Sequence, residues 1–282
     1  MANVVPITDP ADPRIDVYRD IRERDLVGRA GLFVAEGRVV LSMLLASAAF
    51  RPQSLLISAR RIAALSAMLS DLPEEIPVYS AAQPVLDAIA GFPLHRGILA
   101  IARRIDTPSA DALLEAMPAE ATVLLLSAIA NHDNLGGIFR NAAALGAHGV
   151  LLDSDCCDPL YRKALRVSVG TVLSVPFARL ASGEDALALL ERHRFEPLAL
   201  SPSGGLVLSK WTPPRRAAVL LGAEGPGLAA ELLARATTAR IPMTSGVDSL
   251  NVATTSGIVL HHIAAARADP AGGGATEAAS GR

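Results

Sequence analysis

The sequence predicts an α/β protein built on a parallel sheet, with a smaller α/β domain in front of it. Two observations carry this. Six short apolar runs, 122–128, 149–153, 174–178, 197–200, 217–222 and 239–242, read as strands, and helical stretches at 135–145, 159–167, 184–193, 228–236 and 252–266 separate them. Apolar strands alternating with helices belong to a sheet covered on both faces. In addition, half of the 282 residues are apolar while only 4% are aromatic, so the core is built from Ala, Leu, Val and Ile.

The front segment, 13–104, alternates less plainly. It reads as a polar helix over 14–27, an apolar helix over 37–48, a strand at 54–58, a helix at 60–69, a strand at 76–79, a helix at 83–90 and a strand at 97–103. Residues 1–12 read as a loose arm. Residues 105–120 mix Pro, Ser and Asp between apolar regions, and are expected to be a linker with a short helix. Residues 121–267 form the second domain. Residues 268–282 are Gly- and Ala-rich and read as a disordered tail.

Composition narrows the functional classes. Charged residues are 19%, too few for a disordered chain, and no apolar run approaches the roughly 18 residues of a membrane span. The polar start, with Asp9 and Asp12, does not read as a signal peptide. Cys156 and Cys157 are the only cysteines. Neighbouring cysteines rarely bridge, and no metal-ligand spacing is present, so a reducing cytoplasm without a metal is expected. The net charge of −2 does not itself announce a nucleic-acid partner. Lys163 and Lys210 are the only lysines among 26 basic residues. That bias reflects either base composition or phosphate recognition by guanidinium forks.

Three constellations sit at the carboxyl ends of strand candidates, where parallel sheets bind ligands. The first, Asn131-His132-Asp133-Asn134-Leu135-Gly136-Gly137-Ile138-Phe139-Arg140, opens a helix. Asp133 or Asn134 is expected to cap it. Gly136 and Arg140 share a face, so a polyanion could approach the guanidinium, or the segment is a capped helix with a surface Arg. The second, Gly222-Ala223-Glu224-Gly225-Pro226-Gly227-Leu228, lets backbone approach a ligand, or is an ordinary glycine-rich turn. It fits neither the phosphate loop nor the dinucleotide fingerprint, which leaves an oxidoreductase remote. The third runs from Ile241-Pro242-Met243 through Ser249-Leu250-Asn251 into a small-residue helix that Ser249 or Asn251 can cap.

In this order the motifs closely resemble the SpoU/TrmH family of RNA 2′-O-ribose methyltransferases, of the SPOUT superfamily, over 121–266. The segment 158–178 is similar to the family's stretch between motifs one and two. The motifs LFVAEGRVVL (32–41) and FPLHRGILAIARR (92–104) make 13–104 similar to the L30e-like RNA substrate-binding domain often fused to these enzymes. The resemblance implies a C-terminal SPOUT domain closed by a trefoil knot, a homodimer, and S-adenosylmethionine as cofactor. By position it implies that Gly222, Ile241 and Leu250 line the cofactor site, with Met243 as an apolar neighbour. It implies catalytic roles for Asn134, Arg140, Glu224, Ser249 and Asn251. The residues preceding Asn134, together with Gly137 and Asn141, depart from the family's usual choices.

The expected reaction is methyl transfer to a ribose 2′-hydroxyl of rRNA or tRNA, with Arg140 facing the cofactor pocket. The alternatives are a catalytically silent RNA-binding assembly protein and a methyltransferase acting on a base nitrogen. RNA contact is expected at Arg103 and Arg104, at Arg162, Lys163 and Arg166, and at Arg215 and Arg216. His132 reads as an RNA contact or a surface-loop histidine.

Overall fold

A computed structural model describes residues 3–19, 31–91 and 94–268. The front sheet comprises β1 (Val4–Ile7), β2 (Leu32–Glu36), β3 (Phe50–Ser58), β4 (Val78–Ala81) and β5 (Ile98–Arg104), in the order β1-β4-β3-β5-β2. β5 runs antiparallel to β2 and β3, and the other pairs are parallel. Helices α1 (Arg38–Ala46), α2 (Ser66–Ser70) and α3 (Gln83–Ala90) connect these strands.

After α4 (Ala110–Glu115), the second domain lays down β6 (Ala121–Leu126), α5 (His132–Ala144), β7 (Gly149–Leu152), α6 (Arg162–Val167), β8 (Phe177–Arg179), α7 (Ala186–Arg192) and β9 (Glu196–Leu200). It continues with β10 (Leu206–Val207), β11 (Arg216–Leu221), α8 (Ala230–Arg235), β12 (Thr237–Arg240) and α9 (Val252–Ala268). Its seven strands run β10-β12-β9-β11-β6-β7-β8, all parallel. β6 and β11 are buried almost throughout, as central strands covered on both faces must be. One apolar cluster runs from Phe33, Val40 and Leu55 of the front domain to Leu135, Phe139 and Val259 of the second. No helix among the described residues is long and apolar enough to cross a membrane.

Several expected elements differ. The loose arm contains β1, which completes the front sheet by pairing Val4–Ile7 with Val78–Ala81 and burying Ile7. Pro6 is tolerated there because β1 is an edge strand. The expected helix at 14–27 is a 3₁₀ turn at Pro13–Tyr18 that ends at the extended Arg19, and residues 20–27 lie outside the described residues. The helix at 60–69 breaks into two 3₁₀ turns and α2. The helix expected from 159 starts at Arg162, because the Asp158 carboxylate accepts the Leu160 N–H at 2.8 Å and holds a turn first. The strand at 174–178 moves to β8, beyond Pro176. The strand β10 has no counterpart among the expected elements.

The short helix expected in 105–120 is α4, packed into the second domain. Leu113 and Leu114 are buried there, and Arg216 donates to the carbonyls of Leu114, Met117 and Pro118. Of the tail, 269–282 lie outside the described residues.

Candidate active site

The three constellations leave β6, β11 and β12 at the same edge of the parallel sheet. The loop after β6 is held from below. Asp153 accepts the Ala128 N–H, with Ala128 at φ 55°, and the Cys156 sulfur accepts the Ile129 N–H at 3.3 Å. Burial pushes the Cys156 thiol up to about 12 and Cys157 up to about 11, so both are neutral structural thiols. Asn131 then caps α5 by accepting the Asp133 N–H at 2.8 Å, in place of the expected Asp133 or Asn134. Asn134 is thereby released to point toward the second loop.

There it meets its partners. The Asn134 Nδ2 donates to Glu224 Oε1 at 2.8 Å, and Asn251 Nδ2 donates to Asn134 Oδ1 at 2.8 Å and to Glu224 Oε1 at 3.1 Å. With its other atom, Oδ1, Asn251 accepts the N–H groups of Ala253 and Thr254 and so caps α9. One residue from each constellation therefore enters a single hydrogen-bonded node. Ser249 takes no part in that node and is not the cap; it lies on the rim of the adjoining cavity.

That cavity, about 560 Å³, is lined by Gly222, Glu224, Ile241, Met243, Ser249, Leu250 and Asn251, so all four expected cofactor positions converge. Asp248, Leu200, Ser201 and Pro202 also line it. Sequence reasoning missed these; the Ser201-Pro202-Ser203-Gly204 turn after β9 was the available signal. No Lys, Arg or His lines the cavity, whereas Glu224 and Asp248 do. From Ile241 to Leu250 the only backbone–backbone bond among the described residues runs from Val247 N to Thr244 O. Of this stretch, Ile241, Met243, Asp248, Ser249 and Leu250 line the cavity, and their backbone groups take no part in that bond. Gly222 is required by the loop itself: a Cβ there would lie 2.3 Å from the Gly227 carbonyl carbon.

Arg140 departs from expectation. It does not line this cavity, but an open groove beside it with Gly137, Val167, Thr254, Ile258 and His261. The first turns of α9 form the partition: Asn251 and Thr255 face the cavity, and Ala253 and Thr254 face the groove. The glycines of motif one are not bare either. A Cβ on Gly136 would strike the Ala164 carbonyl at 2.8 Å, and one on Gly137 the Ala253 Cβ at 2.8 Å. They let α5 approach α6 and α9. Asn141 fastens the latter contact by donating to Ala253 O at 2.7 Å.

The expected RNA-contacting arginines divide. Arg104 donates to the Phe177 carbonyl and lies over its ring, and Arg216 lies over Phe195, so both are structural. Lys163 pairs with Asp133 at 2.7 Å, and Arg162 with Glu36 at 3.8 Å. Arg103, Arg166 and Arg215 are exposed. His132 is half-buried, edge-on to Tyr161. Among the described residues, no cluster of three or more His, Cys, Asp or Glu is placed to hold a metal.

A model of the SpoU rRNA Methylase family matches residues 121–261. The chain is 40% identical over 268 residues to an uncharacterised tRNA/rRNA methyltransferase of Mycobacterium tuberculosis H37Rv, covering 92% of this chain and 91% of the relative. It is 29% identical over 195 residues to the 23S rRNA (guanosine-2′-O-)-methyltransferase RlmB of Acinetobacter baylyi, covering 67% and 78%. Its fold is similar to the crystal structure of an AdoMet-bound rRNA methyltransferase from Sinorhizobium meliloti, with a TM-score of 0.79, 25% identity, and coverage of 94% and 98%.

Proposed function

Because this chain belongs to the SpoU rRNA methylase family, we propose that it transfers a methyl group from S-adenosylmethionine to a ribose 2′-hydroxyl of structured RNA. The observation that carries this reading is the Asn134–Glu224–Asn251 node, which stands between a ligand-sized cavity and the groove holding Arg140.

The cavity's residues fit the cofactor. Its volume is that of a small-molecule site. Two carboxylates and no cationic side chain suit a sulfonium, and the backbone of the lining residues Ile241, Met243, Ser249 and Leu250, free of backbone–backbone bonds, suits an adenine and a ribose. Gly222, Ile241, Met243 and Leu250 would hold it; when bound, it supplies an electrophilic methyl carbon.

On the groove side, Arg140 is exposed and has no ion-pair or hydrogen-bond partner among the described residues. Its planar fork of N–H donors would hold the RNA phosphate and stabilise charge developing on the 2′-oxygen. Asn134, Glu224 and Asn251 would fix the partition and present the ribose, and Ser249 would act at the cavity rim. Positioning of this kind supplies much of the rate. With S-adenosylmethionine bound, the methyl group would pass from sulfur to the 2′-oxygen, S-adenosylhomocysteine would leave as the neutral thioether, and the hydroxyl proton would go to solvent.

Two features extend the reading. The loop 201–205 crosses β12 to reach β10: Gly204 abuts Ala239, and Arg240 donates to the Gly204 and Gly205 carbonyls. This supports a C-terminal knot. The exposed Ile258, which lines the Arg140 groove beside the small residues Gly137, Ala253 and Gly257, supports pairing with a second copy there.

The test is tritiated methyl transfer to 23S rRNA and tRNA, followed by alkaline hydrolysis. Ribose methylation leaves an alkali-resistant dinucleotide; label recovered on a base, or no cofactor binding by calorimetry, would reject the proposal.

A further inference from the structure

The front domain carries a second concentration of positive charge that the site above does not use. Four arginines stand at one edge of its sheet, where β2 and β3 end and β5 begins. Arg38 opens α1; Arg60 and Arg61 follow β3; Arg96 precedes β5. Two glycines make room for two of them. A Cβ on Gly37 would lie 3.0 Å from Arg96 Cδ, and one on Gly97 would lie 3.3 Å from Arg61 Nε. All four are exposed.

Acidic compensation is slight. Arg38, Arg61 and Arg96 make no ion pair among the described residues, and Arg60 bonds only the neutral Gln83, at 3.4 Å. The carboxylates nearby are engaged. Asp87 accepts from Gln83 and the Leu94 N–H, and the nearly buried Glu36 faces Arg162. His95 adds a further exposed group.

The arrangement opposes folding. Arg38 occupies the first position of α1, no side chain caps that helix, its first turn holds no acid, and the Arg96 guanidinium lies over its N-cap Gly37. Cations at the positive end of a helix are unfavourable. A multivalent anion would relieve all of these charges at once.

The edge also adjoins the second domain. Glu36, the last residue of β2, faces Arg162 of α6; α6 next presents the exposed Arg166, and Val167 then lines the Arg140 groove. We propose that Arg38, Arg60, Arg61 and Arg96 form a phosphate-binding surface for structured RNA, continuous through α6 with the groove that holds Arg140. This rests on the RNA methyltransferase reading and extends its footprint to named residues of the front domain.

The test compares the full-length chain with a triple variant, Arg38→Gln/Arg61→Gln/Arg96→Gln, and with the matching triple Lys variant. Fluorescence anisotropy measures binding to protein-free 23S rRNA and to bulk tRNA over about 50 to 200 mM salt. The Gln variant is expected to bind roughly 10- to 100-fold more weakly at about 0.1 M salt, with a log–log salt slope shallower by about 2 to 3. The Lys variant should recover most of both; S-adenosylmethionine affinity should be unchanged in each, and melting should hold in the Lys variant and rise in the Gln variant, which removes cations from the start of α1. Unchanged affinity and slope in the Gln variant would overturn the proposal, as would failure of Lys to restore binding. Loss of binding to anionic vesicles alone would assign the patch to membranes and overturn it too. Binding needs no turnover. RNA held through this edge without methyl transfer would therefore refute the activity and leave the surface standing, and an active enzyme with unchanged binding would do the reverse.

Discussion

Asn134 and Glu224, 90 residues apart, meet at 2.8 Å, and Asn251 closes the contact by donating to both. Because Asn251 also caps α9, its two tasks are separable. Asn251→Ala should lower stability by about 1 kcal/mol through the lost cap and also abolish methyl transfer. Asn251→Asp keeps the capping oxygen but faces the Glu224 carboxylate, so activity should fall while the helix remains capped. Thermal melts beside a tritium assay check both halves.

Arg140 lies across the partition from the cavity. Arg140→Ala should therefore leave S-adenosylmethionine affinity nearly unchanged by calorimetry and abolish transfer to RNA. Arg140→Lys keeps the charge without the planar fork and should recover only a small part. Turnover retained by the alanine variant would reject this role.

Gly222 and Gly225 should respond differently to the same change. A Cβ at Gly222 strikes the Gly227 backbone at 2.3 Å, so Gly222→Ala must open the loop and eliminate cofactor binding. At Gly225 there is open space but φ is +88°, so alanine there costs only about 1–2 kcal/mol of backbone strain. Calorimetry on both variants separates the cases.

The cysteines give a pH prediction. With folded values raised to about 12 for Cys156 and about 11 for Cys157, both thiols stay neutral where a free cysteine would ionise. Alkylation by iodoacetamide at neutral to mildly alkaline pH should be slow in the native protein and fast in denaturant. The sign for stability follows: the contribution is fully present below the unfolded thiol value of about 8.5 and is lost as pH rises through the folded values. Denaturation midpoints should therefore fall on the alkaline side; fast native labelling would contradict the burial.

Much of the sheet was legible because its central strands are apolar on both faces: the runs at 122–128 and 217–222 lie on β6 and β11 within a residue or two. The helix at 83–90 is α3, with Pro84 near its start and Gly91 in the left-handed conformation at its end. Edges were not legible. β1 has four residues and β10 two, and neither carries a distinctive run; their pairing depends on which free edge is nearby. At the site, convergence of three distant loops followed from the resemblance, since no spacing encodes it. The side of α9 on which Arg140 falls depends on how closely α5 and α9 approach at Gly137 and Ala253, and at Asn141 and Gly257. Asn131 took the cap because it stands one residue ahead of α5, and only backbone angles reveal where a helix begins.

Among the described residues, β10 has a single neighbour in the sheet, β12, which comes later in the chain. During synthesis the 201–205 crossing therefore emerges from the ribosome well before the strand it spans. A nascent chain ending at 236 has neither Ile241 nor Leu250 nor Asn251, and the cavity lacks a wall. The front domain with its arginine edge is translated first. Its order of synthesis lets the front sheet form before the residues that close the cavity of the second domain have been made.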